Sequence, residues 1–408
     1  MNCGLLGRKL AHSYSPQIHA HLGDYPYAIW EREPQDLGNF LKTFPFTGLN
    51  VTMPYKKDVI PYCAKLTKEA QMLGAVNTIV RQSDGGLIGH NTDYFGFRST
   101  VEKTGLSVNG KKVLVLGSGG ASATAVAVLN ELGANVITIS RSGENNYGNL
   151  KRQADAALIV NATPVGMYPT TGISPVSLEF FPKLEGVIDM IYNPSRTALL
   201  QEAEHRGLIA ENGLWMLVAQ AKESSEWFTG KKQPVDIIPF IYTKMNQMMQ
   251  NIILIGMPGS GKSTVGKLLA MMTGKEFIDA DTYLADSVKT SIPDIFETSG
   301  EGHFRKLETQ VLGELGKRSA SIIATGGGCV TRKENYRLLH QNGIIVWIQR
   351  DIDTLSTDGR PLSQSGNLLD MYRIRRPLYE SFCDFSVSNN SDPENTAKDI
   401  LLHLQMEV

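Results

Sequence analysis

Two stretches of the chain share one pattern of apolar and polar positions: a short β-rich apolar run, a glycine-rich turn, and then apolar residues at helical spacing. The first is KKVLVLGSGGASATAVAVLNELG at residues 111–133, and the second is NIILIGMPGSGKSTVGKLLA at residues 251–270. Each pattern predicts a strand, a phosphate-binding loop and a helix, in that order. Because their glycine spacings differ, the two stretches are not internal repeats.

The segments around these two units predict alternating strands and helices. Before residue 105, apolar runs such as GLNVTMP and AVNTIVRQ alternate with helical patterns such as PQDLGNFLKTF. From 111 to 212, strands such as ANVITISR and GVIDMIYN alternate with helices, which is the rhythm of a doubly wound parallel sheet. We therefore predict an α/β protein with three domains, at 1–104, 105–212 and 249–408. The helical stretch 213–248 is predicted to pack back on the first domain.

The composition is that of an ordinary globular protein. Of 408 residues, 42% are hydrophobic and 20% charged, and the net charge is −1, so we expect no general affinity for nucleic acid or an anionic membrane. Anionic ligands must then be held by local sites. The four cysteines show no CxxC or zinc spacing, which favours reduced thiols. Without a signal-peptide core or a bilayer-long apolar run, the sequence predicts a cytoplasmic protein.

The first glycine-rich turn predicts a dinucleotide site. Gly117-Ser118-Gly119-Gly120-Ala121 follows a predicted strand and opens a helix, where glycines let the backbone approach a pyrophosphate. The sixth position, Ser122, departs from the strict fingerprint. The next strand ends in Ser140-Arg141-Ser142, a cation flanked by hydroxyls, which suits the 2′-phosphate of NADP better than the ribose of NAD. The alternative is that Arg141 is a solvated charge at a strand end.

The second glycine-rich turn predicts a P-loop. Gly256–Ser263 fits G-x-x-x-x-G-K-[ST] between a strand and a helix. The backbone of Gly259-Ser260-Gly261 and the following residues through Thr264 would cradle ATP phosphates, with Lys262 reaching the β- and γ-phosphates and Ser263 binding Mg²⁺. The alternative is a structural glycine turn.

An acidic pair follows the P-loop. Placed on a strand, Asp279 and Asp281 point to the same face and could serve a metal and a substrate separately. The alternative is a solvated strand end.

Several short polar segments of the first domain, each taken alone, are explained as ordinary turns or helix caps. They are His12–Pro16, Asn50–Lys56, Gly74–Thr78 and Asn91–Asp93. Together with the GxGGA loop, NATP-GM, DMIYNP and GLWMLVAQ, in this order over residues 4–240, the set resembles shikimate dehydrogenases.

That resemblance implies a substrate-binding domain at 1–104, an NADP-binding Rossmann domain at 105–212, and reduction of 3-dehydroshikimate to shikimate by NADPH. Lys56 and Asp93 would form the catalytic pair. Met190 and Gly213 would touch the nicotinamide end of the cofactor. The substrate would be held by Ser13, Ser15, Thr52, Asn77, Asp93, Tyr192 and Gln220.

The second half resembles shikimate kinase over residues 250–405. The pieces are FIDAD, a G-x-x-x-FR-x-x-E segment at 300–308, the triple glycine at 326–328, RPL at 360–362 and RRPLY at 375–379. The resemblance implies that a P-loop kinase domain phosphorylates shikimate to shikimate 3-phosphate with ATP and Mg²⁺. Asp279 would support Mg²⁺ with Ser263, Asp281 would orient the attacking hydroxyl beside Lys262, and Arg360 would approach ATP. Shikimate would be bound by Asp281, Arg305, Gly327 and Arg375.

Three alternatives stay open at this point. The first is a broad-specificity quinate/shikimate dehydrogenase fused to a different small-molecule kinase. The second is a fusion in which one half has decayed into a binding or regulatory module. The third, a transport or signalling NTPase, is disfavoured by the triple glycine and the RRPLY piece.

Overall fold

The computed structural model describes residues 1–10, 13–355 and 368–406. The chain divides into two compact units. The first consists of Met1–Met167, Ile173–Tyr192 and Leu199–Met245, and the second of Tyr168–Gly172, Asn193–Ala198 and Asn246–Val408.

The first unit opens with a mixed six-stranded sheet in the order β2-β1-β3-β5-β6-β4. β1 lies parallel to β2 and β3, and β5 lies antiparallel to β3 and β6. Fully buried Leu6, Leu49 and Ile79 place the core against this sheet. Its elements are β1 (Cys3–Gly7), α1 (Ser15–His19), β2 (Tyr27–Glu31), α2 (Leu37–Thr43), β3 (Gly48–Val51), β4 (Lys65–Leu66), α3 (Lys68–Leu73), β5 (Thr78–Arg81), β6 (Leu87–His90) and α4 (Asp93–Lys103).

The second sheet of this unit has five strands in the order β11-β10-β9-β7-β8, and every pairing is parallel. The predicted strand, loop and helix at 111–133 are present as β7 and α5. The three central strands are buried along almost their whole length, which explains their apolar sequences, as in doubly wound sheets. The elements are β7 (Lys112–Leu116), α5 (Gly120–Glu131), β8 (Asn135–Ile139), β9 (Leu158–Asn161), β10 (Gly186–Asp189), α6 (Ala198–His205) and β11 (Ile209–Glu211).

Two helices follow, α7 (Leu214–Thr229) and α8 (Ile237–Met249). α7 packs closely on α4, since a methyl group added at Gly96 would lie 2.8 Å from the carbonyl oxygen of Met216. The indole of Trp215 donates to Ser99 Oγ at 2.9 Å, which fixes the same pair of helices. α7 therefore carries its residues back onto the first sheet region.

The second unit contains a parallel five-stranded sheet in the order β13-β14-β12-β15-β16. The predicted strand, loop and helix at 251–270 are present as β12 and α9. Its elements are β12 (Asn251–Ile255), α9 (Lys262–Thr273), β13 (Glu276–Asp279), α10 (Ala280–Val288), α11 (Ile292–Leu315), β14 (Ser321–Ala324), α12 (Glu334–His340), β15 (Gly343–Gln349), α13 (Leu368–Phe382), β16 (Phe385–Ser388) and α14 (Pro393–His403).

One local prediction is wrong. β13 ends at Asp279, and Asp281 lies in the first turn of α10 rather than on the strand. The cause is a helix cap, because Asp279 accepts hydrogen bonds from the backbone N–H groups of Asp281 and Thr282. The two carboxylates are therefore arranged by a strand-to-helix turn and not by strand alternation.

Within the part of the chain that the structure describes, none of the helices combines the length and the apolar character needed to cross a membrane.

Candidate active sites

A cavity of about 560 Å³ lies in the first unit, and residues from widely separated pieces of the sequence form its wall. It is lined by all of the residues predicted for the dehydrogenase as the catalytic pair, as substrate ligands or as contacts of the nicotinamide. They are Ser13, Ser15, Thr52, Lys56, Asn77, Asp93, Met190, Tyr192, Gly213 and Gln220. His12 of the same predicted pieces lies outside the described residues.

An ammonium–carboxylate pair stands in the wall of this cavity. Lys56 Nζ lies 2.6 Å from Asp93 Oδ2, and the two side chains are 32% and 20% exposed. Asp93 is the first residue of α4, and its backbone N–H donates to Asn91 Oδ1 at 3.1 Å. Because the pair is partly exposed, it can reach a ligand in the cavity.

A buried hydrogen-bond network lies behind the cavity. Asn77 Oδ1 accepts from the backbone N–H of Thr92 at 2.8 Å and from the hydroxyl of Thr78 at 3.0 Å. Ser224 of α7 contacts Asn50 Nδ2 at 2.8 Å, and its hydroxyl also lies within 3.2 Å of both threonine hydroxyls. These contacts join β3, β5, the start of α4 and α7, so the network fixes the positions of several cavity residues.

In another part of the cavity wall, the backbone of Gly213 lies very close to the backbone of Met190. A methyl group at Gly213 would lie 2.1 Å from the carbonyl oxygen of Met190, so only glycine fits there. Tyr192 packs edge-on against Tyr14, and burial raises the pKa of the Tyr192 phenol. Its hydroxyl therefore stays protonated and can donate or accept a hydrogen bond.

The predicted dinucleotide loop lies at the carboxyl end of β7. Gly117 adopts a left-handed φ of +110°, and a methyl group there would contact Ala162 and Thr163 at about 3.1 Å. By contrast, methyl groups at Gly119 and Gly120 would meet open space, so the N-terminus of α5 is accessible to a pyrophosphate. Ser118, Ala121, Arg141 and Ser142 are exposed, and Ser140 is partly exposed.

In the second unit, the P-loop connects β12 to α9. Gly256, Gly259 and Gly261 all have left-handed φ values, which the loop needs to turn its N–H groups inward. The Lys262 ammonium is buried and donates to the carbonyl oxygens of Gly256 and Met257 at 3.0 Å. Ser260 Oγ is buried without a hydrogen-bond partner among the described residues.

The predicted metal ligands of the P-loop site lie together. Ser263 Oγ donates to Asp279 Oδ2 at 2.7 Å. A serine hydroxyl and a carboxylate beside a phosphate loop are the oxygen donors that Mg²⁺ takes, with water, in nucleotide sites. Thr264 is exposed in the first turn of α9.

The triple glycine is the point where the rest of this site converges. A methyl group at Gly326 would lie 2.7 Å from both Asp281 Oδ1 and Glu308 Oε1, and one at Gly327 would lie 2.6 Å from Pro258 of the P-loop. One at Gly328 would lie 2.1 Å from Arg305 Nη2. The glycines therefore let Asp281, Glu308, the P-loop and Arg305 come to one place, because no side chain keeps them apart.

Two arginines are held rigidly beside this turn. Arg305 donates to Glu308 at 2.8 Å and to Glu301 at 3.1 Å. Arg375 Nη1 donates to the carbonyl oxygen of Gly327 at 3.1 Å, and Tyr379 also donates to that oxygen. Because both guanidinium groups are nearly buried, they are suited to pair with a carboxylate.

Two further residues of this unit are Cys329, which follows the triple glycine, and Arg360, which is predicted to approach ATP. Cys329 is fully buried, and burial raises the pKa of its thiol to about 12, so it is a small core residue and not a nucleophile. Arg360 lies outside the described residues.

The structure also brings in residues that sequence reasoning did not select. Lys9, Asn50, Met216 and Leu217 line the cavity of the first unit, and Ser224 stands behind it. Asn50 is the first residue of the polar segment Asn50–Lys56, so the sequence alone could have selected it as a site residue. Lys9 and Ser224 carry no such signal, because a lone lysine or serine is common at any surface or helix.

Comparisons with known proteins bear on both halves. The family profile described as shikimate dehydrogenase substrate binding domain matches residues 5–79, and that of shikimate kinase matches residues 258–405. Shikimate dehydrogenase (NADP(+)) from Shouchella clausii strain KSM-K16 is 36% identical over 256 residues, which cover 56% of this chain and 93% of that protein.

Two solved structures are similar to 60% of this chain and 99% of their own. Shikimate 5-dehydrogenase from Thermus thermophilus, in complex with NADP(H) and shikimate, is 31% identical with a TM-score of 0.55. Quinate dehydrogenase from Corynebacterium glutamicum, in complex with NAD, is 25% identical with a TM-score of 0.55. These likenesses confirm the α/β fold class and, with the family profiles, both resemblances predicted from the sequence.

Proposed function

Because the chain belongs to the shikimate dehydrogenase family and carries a shikimate kinase domain over residues 258–405, we propose that it performs two consecutive reactions. It reduces 3-dehydroshikimate to shikimate with NADPH, and it then phosphorylates shikimate at the 3-hydroxyl with ATP. The observation that carries the proposal is the presence of the Lys56–Asp93 cavity in one unit and of the arginine-lined triple glycine in the other.

In the first reaction, NADPH supplies the hydride that adds to the C3 carbonyl carbon. The carbonyl oxygen then gains negative charge and needs a proton. Lys56, held at 2.6 Å by Asp93, stabilises that charge and donates the proton. Ser13, Ser15, Thr52, Asn77 and Gln220 hold the hydroxyls and carboxylate of the substrate.

The residues present fit NADP(H). The open space above Gly119 and Gly120 leaves the N-terminus of α5 free for the pyrophosphate. Arg141, between Ser140 and Ser142 at the end of β8, supplies an exposed cation for the 2′-phosphate. Met190 and Gly213 line the cavity wall, where they would contact the nicotinamide.

In the second reaction, ATP supplies the phosphoryl group. Catalysis of such a transfer depends mainly on positioning and on neutralising charge. Asp281 orients the attacking hydroxyl, while Arg305 and Arg375 bind the carboxylate of shikimate beside Gly327.

The charge of the phosphates is neutralised from the P-loop side. Lys262 would reach the β- and γ-phosphates, and Ser263 with Asp279, which lie 2.7 Å apart, would hold Mg²⁺. The buried Ser260 hydroxyl, which has no partner among the described residues, fits this cradle as a donor to phosphate.

This function divides the chain as the sequence predicts. Residues 1–104, with 213–248 packed against them, form the substrate domain of the dehydrogenase. Residues 105–212 bind NADP(H), and residues 249–408 form the kinase.

A second candidate for the first half is a quinate/shikimate dehydrogenase of broad specificity, which the likeness to a quinate dehydrogenase favours. The purified chain should be assayed with 3-dehydroshikimate and NADPH, with quinate and NAD⁺, and with shikimate and Mg·ATP. We expect 3-dehydroshikimate with NADPH to give a higher kcat/KM than quinate with NAD⁺. We also expect shikimate to be phosphorylated in the third assay. A higher kcat/KM with quinate and NAD⁺ would favour the second candidate, and Lys262→Ala should abolish only the third activity.

A further inference from the structure

The cavity of the first unit, called the redox cavity from here on, is lined by one cationic residue that the proposed mechanism does not use. Three ionisable side chains of full charge line it, Lys9, Lys56 and Asp93. Lys56 and Asp93 neutralise each other at 2.6 Å. Among the described residues, Lys9 forms no hydrogen bond or ion pair. The residues of the cavity wall therefore have a formal net charge of +1, and Lys9 is its source.

The backbone around Lys9 is fixed although its side chain is exposed. The neighbouring Arg8 is held by Glu33, with Nε 2.9 Å from the carboxylate. On the other side Leu10 is buried, and its N–H donates to Glu31 Oε1 at 2.6 Å. Both nearby carboxylates are thus already bound, which leaves the Lys9 ammonium free to turn toward an anion in the cavity.

We propose that Lys9 is a specificity-determining residue of the dehydrogenase, which selects substrates with a carboxylate by ionic attraction across the redox cavity. This inference rests on the proposed function, because the substrate named there has one carboxylate and no other ionised group. Hydroxyls such as those of Ser13 and Ser15 bind a carboxylate, but they also bind an ester or an amide. A cation without a partner of its own adds a contact that distinguishes an acid from its neutral analogue by charge.

The attraction also makes a prediction for the rate of substrate capture. A net positive cavity raises the local concentration of an anionic substrate, and added salt screens that effect. The value of kcat/KM for the acid should therefore fall with ionic strength, whereas that for a neutral ester should not.

The test is a double-perturbation cycle that removes the charge of Lys9 by substitution and the charge of the substrate carboxylate by esterification. The wild type and Lys9→Gln are assayed for NADP⁺-dependent oxidation of shikimate and of shikimate methyl ester. We expect Lys9→Gln to raise the KM for shikimate by about three- to fivefold, at the upper end of the range of an exposed ionic contact. The KM for the ester, the KM for NADP⁺ and kcat should stay within about twofold.

Matched variants separate this role from a general effect of surface charge. Lys9→Arg should retain the preference for the acid. Lys42→Gln, which removes an exposed cation of α2 that does not line the cavity, should leave the preference unchanged. Kinase activity of the same chain normalises the amount of protein, and an unchanged kcat and KM for NADP⁺ report that the first unit is intact.

Each outcome bears on the proposal. Equal losses for acid and ester in Lys9→Gln, or no loss for the acid, would overturn the role of Lys9 while leaving the dehydrogenase function in place. A wild type that oxidises neither shikimate nor its ester would overturn both.

Discussion

Replacing Gly328 with alanine tests the geometry of the kinase site through a single methyl group. The residue has φ −105° and ψ 4°, a conformation open to alanine, so the backbone should tolerate the change. The new Cβ would lie 2.1 Å from Arg305 Nη2 and 2.4 Å from its Cζ. Since nonbonded heavy atoms rest about 3.5 Å apart, the guanidinium must move by about 1.4 Å.

A displacement of that size breaks a charge-assisted hydrogen bond to the substrate carboxylate. Such bonds contribute about 1.5–3 kcal/mol, and a loss of about 2 kcal/mol corresponds to a roughly 30-fold weaker interaction. We therefore expect Gly328→Ala to raise the kinase KM for shikimate about 30-fold with little change in the KM for ATP.

The chain offers two controls for this variant. Its dehydrogenase activity should be unchanged, because the substitution lies in the other unit. Gly302→Ala, where a methyl group meets open space in α11, should leave both kinase KM values unchanged. An unaltered shikimate KM in Gly328→Ala, or equal rises in both KM values, would refute the reasoning.

Four further substitutions test the remaining sites. Lys56→Ala should lower dehydrogenase kcat by about 10²–10⁴-fold without weakening NADPH binding in a fluorescence titration, and near-normal turnover would refute its role. Arg141→Gln should raise the KM for NADPH by about 10-fold or more and leave that for NADH unchanged, whereas equal effects would exclude a 2′-phosphate contact. Arg375→Ala should raise the shikimate KM of the kinase far more than its ATP KM, and equal rises would count against a carboxylate contact. Ser224→Ala should lower the free energy of unfolding of the first unit, followed by urea inactivation of the dehydrogenase, by about 1–2 kcal/mol and leave the kinase unchanged. An unchanged urea midpoint would show that the buried network does not need this hydroxyl.

The nucleotide loops could be predicted from local sequence because each depends on a short contiguous signal. A buried strand, glycines with left-handed φ and a helix start occur in one stretch of chain, as at Gly117 and at Gly256. The same locality predicted β7, α5, β12 and α9.

The convergence of distant residues could not be derived from local pattern. Lys56 and Asp93 meet because β3, β5 and the start of α4 are joined through buried polar contacts, and sequence spacing does not encode those contacts. Resemblance to a family supplied these positions, but it gave no reason to consider Lys9 or Ser224.

The placement of Asp281 shows the limit of periodicity at an element boundary. Residues 279 and 281 would lie on the same side of the chain both in a continued strand and in a capped helix turn. The Asp279 side chain decides between these two structures. Its hydrogen bonds to two backbone N–H groups end the strand and begin α10.

The most direct measurement of the central claim follows one molecule through both sites. The purified chain is given 3-dehydroshikimate, Mg·ATP and NADPH dideuterated at C4, and the products are identified by mass spectrometry. We predict shikimate 3-phosphate carrying a single deuterium, since the hydride is added before the phosphoryl group. Accumulation of deuterated shikimate without a phosphorylated product, or no incorporation of deuterium at all, would contradict the account.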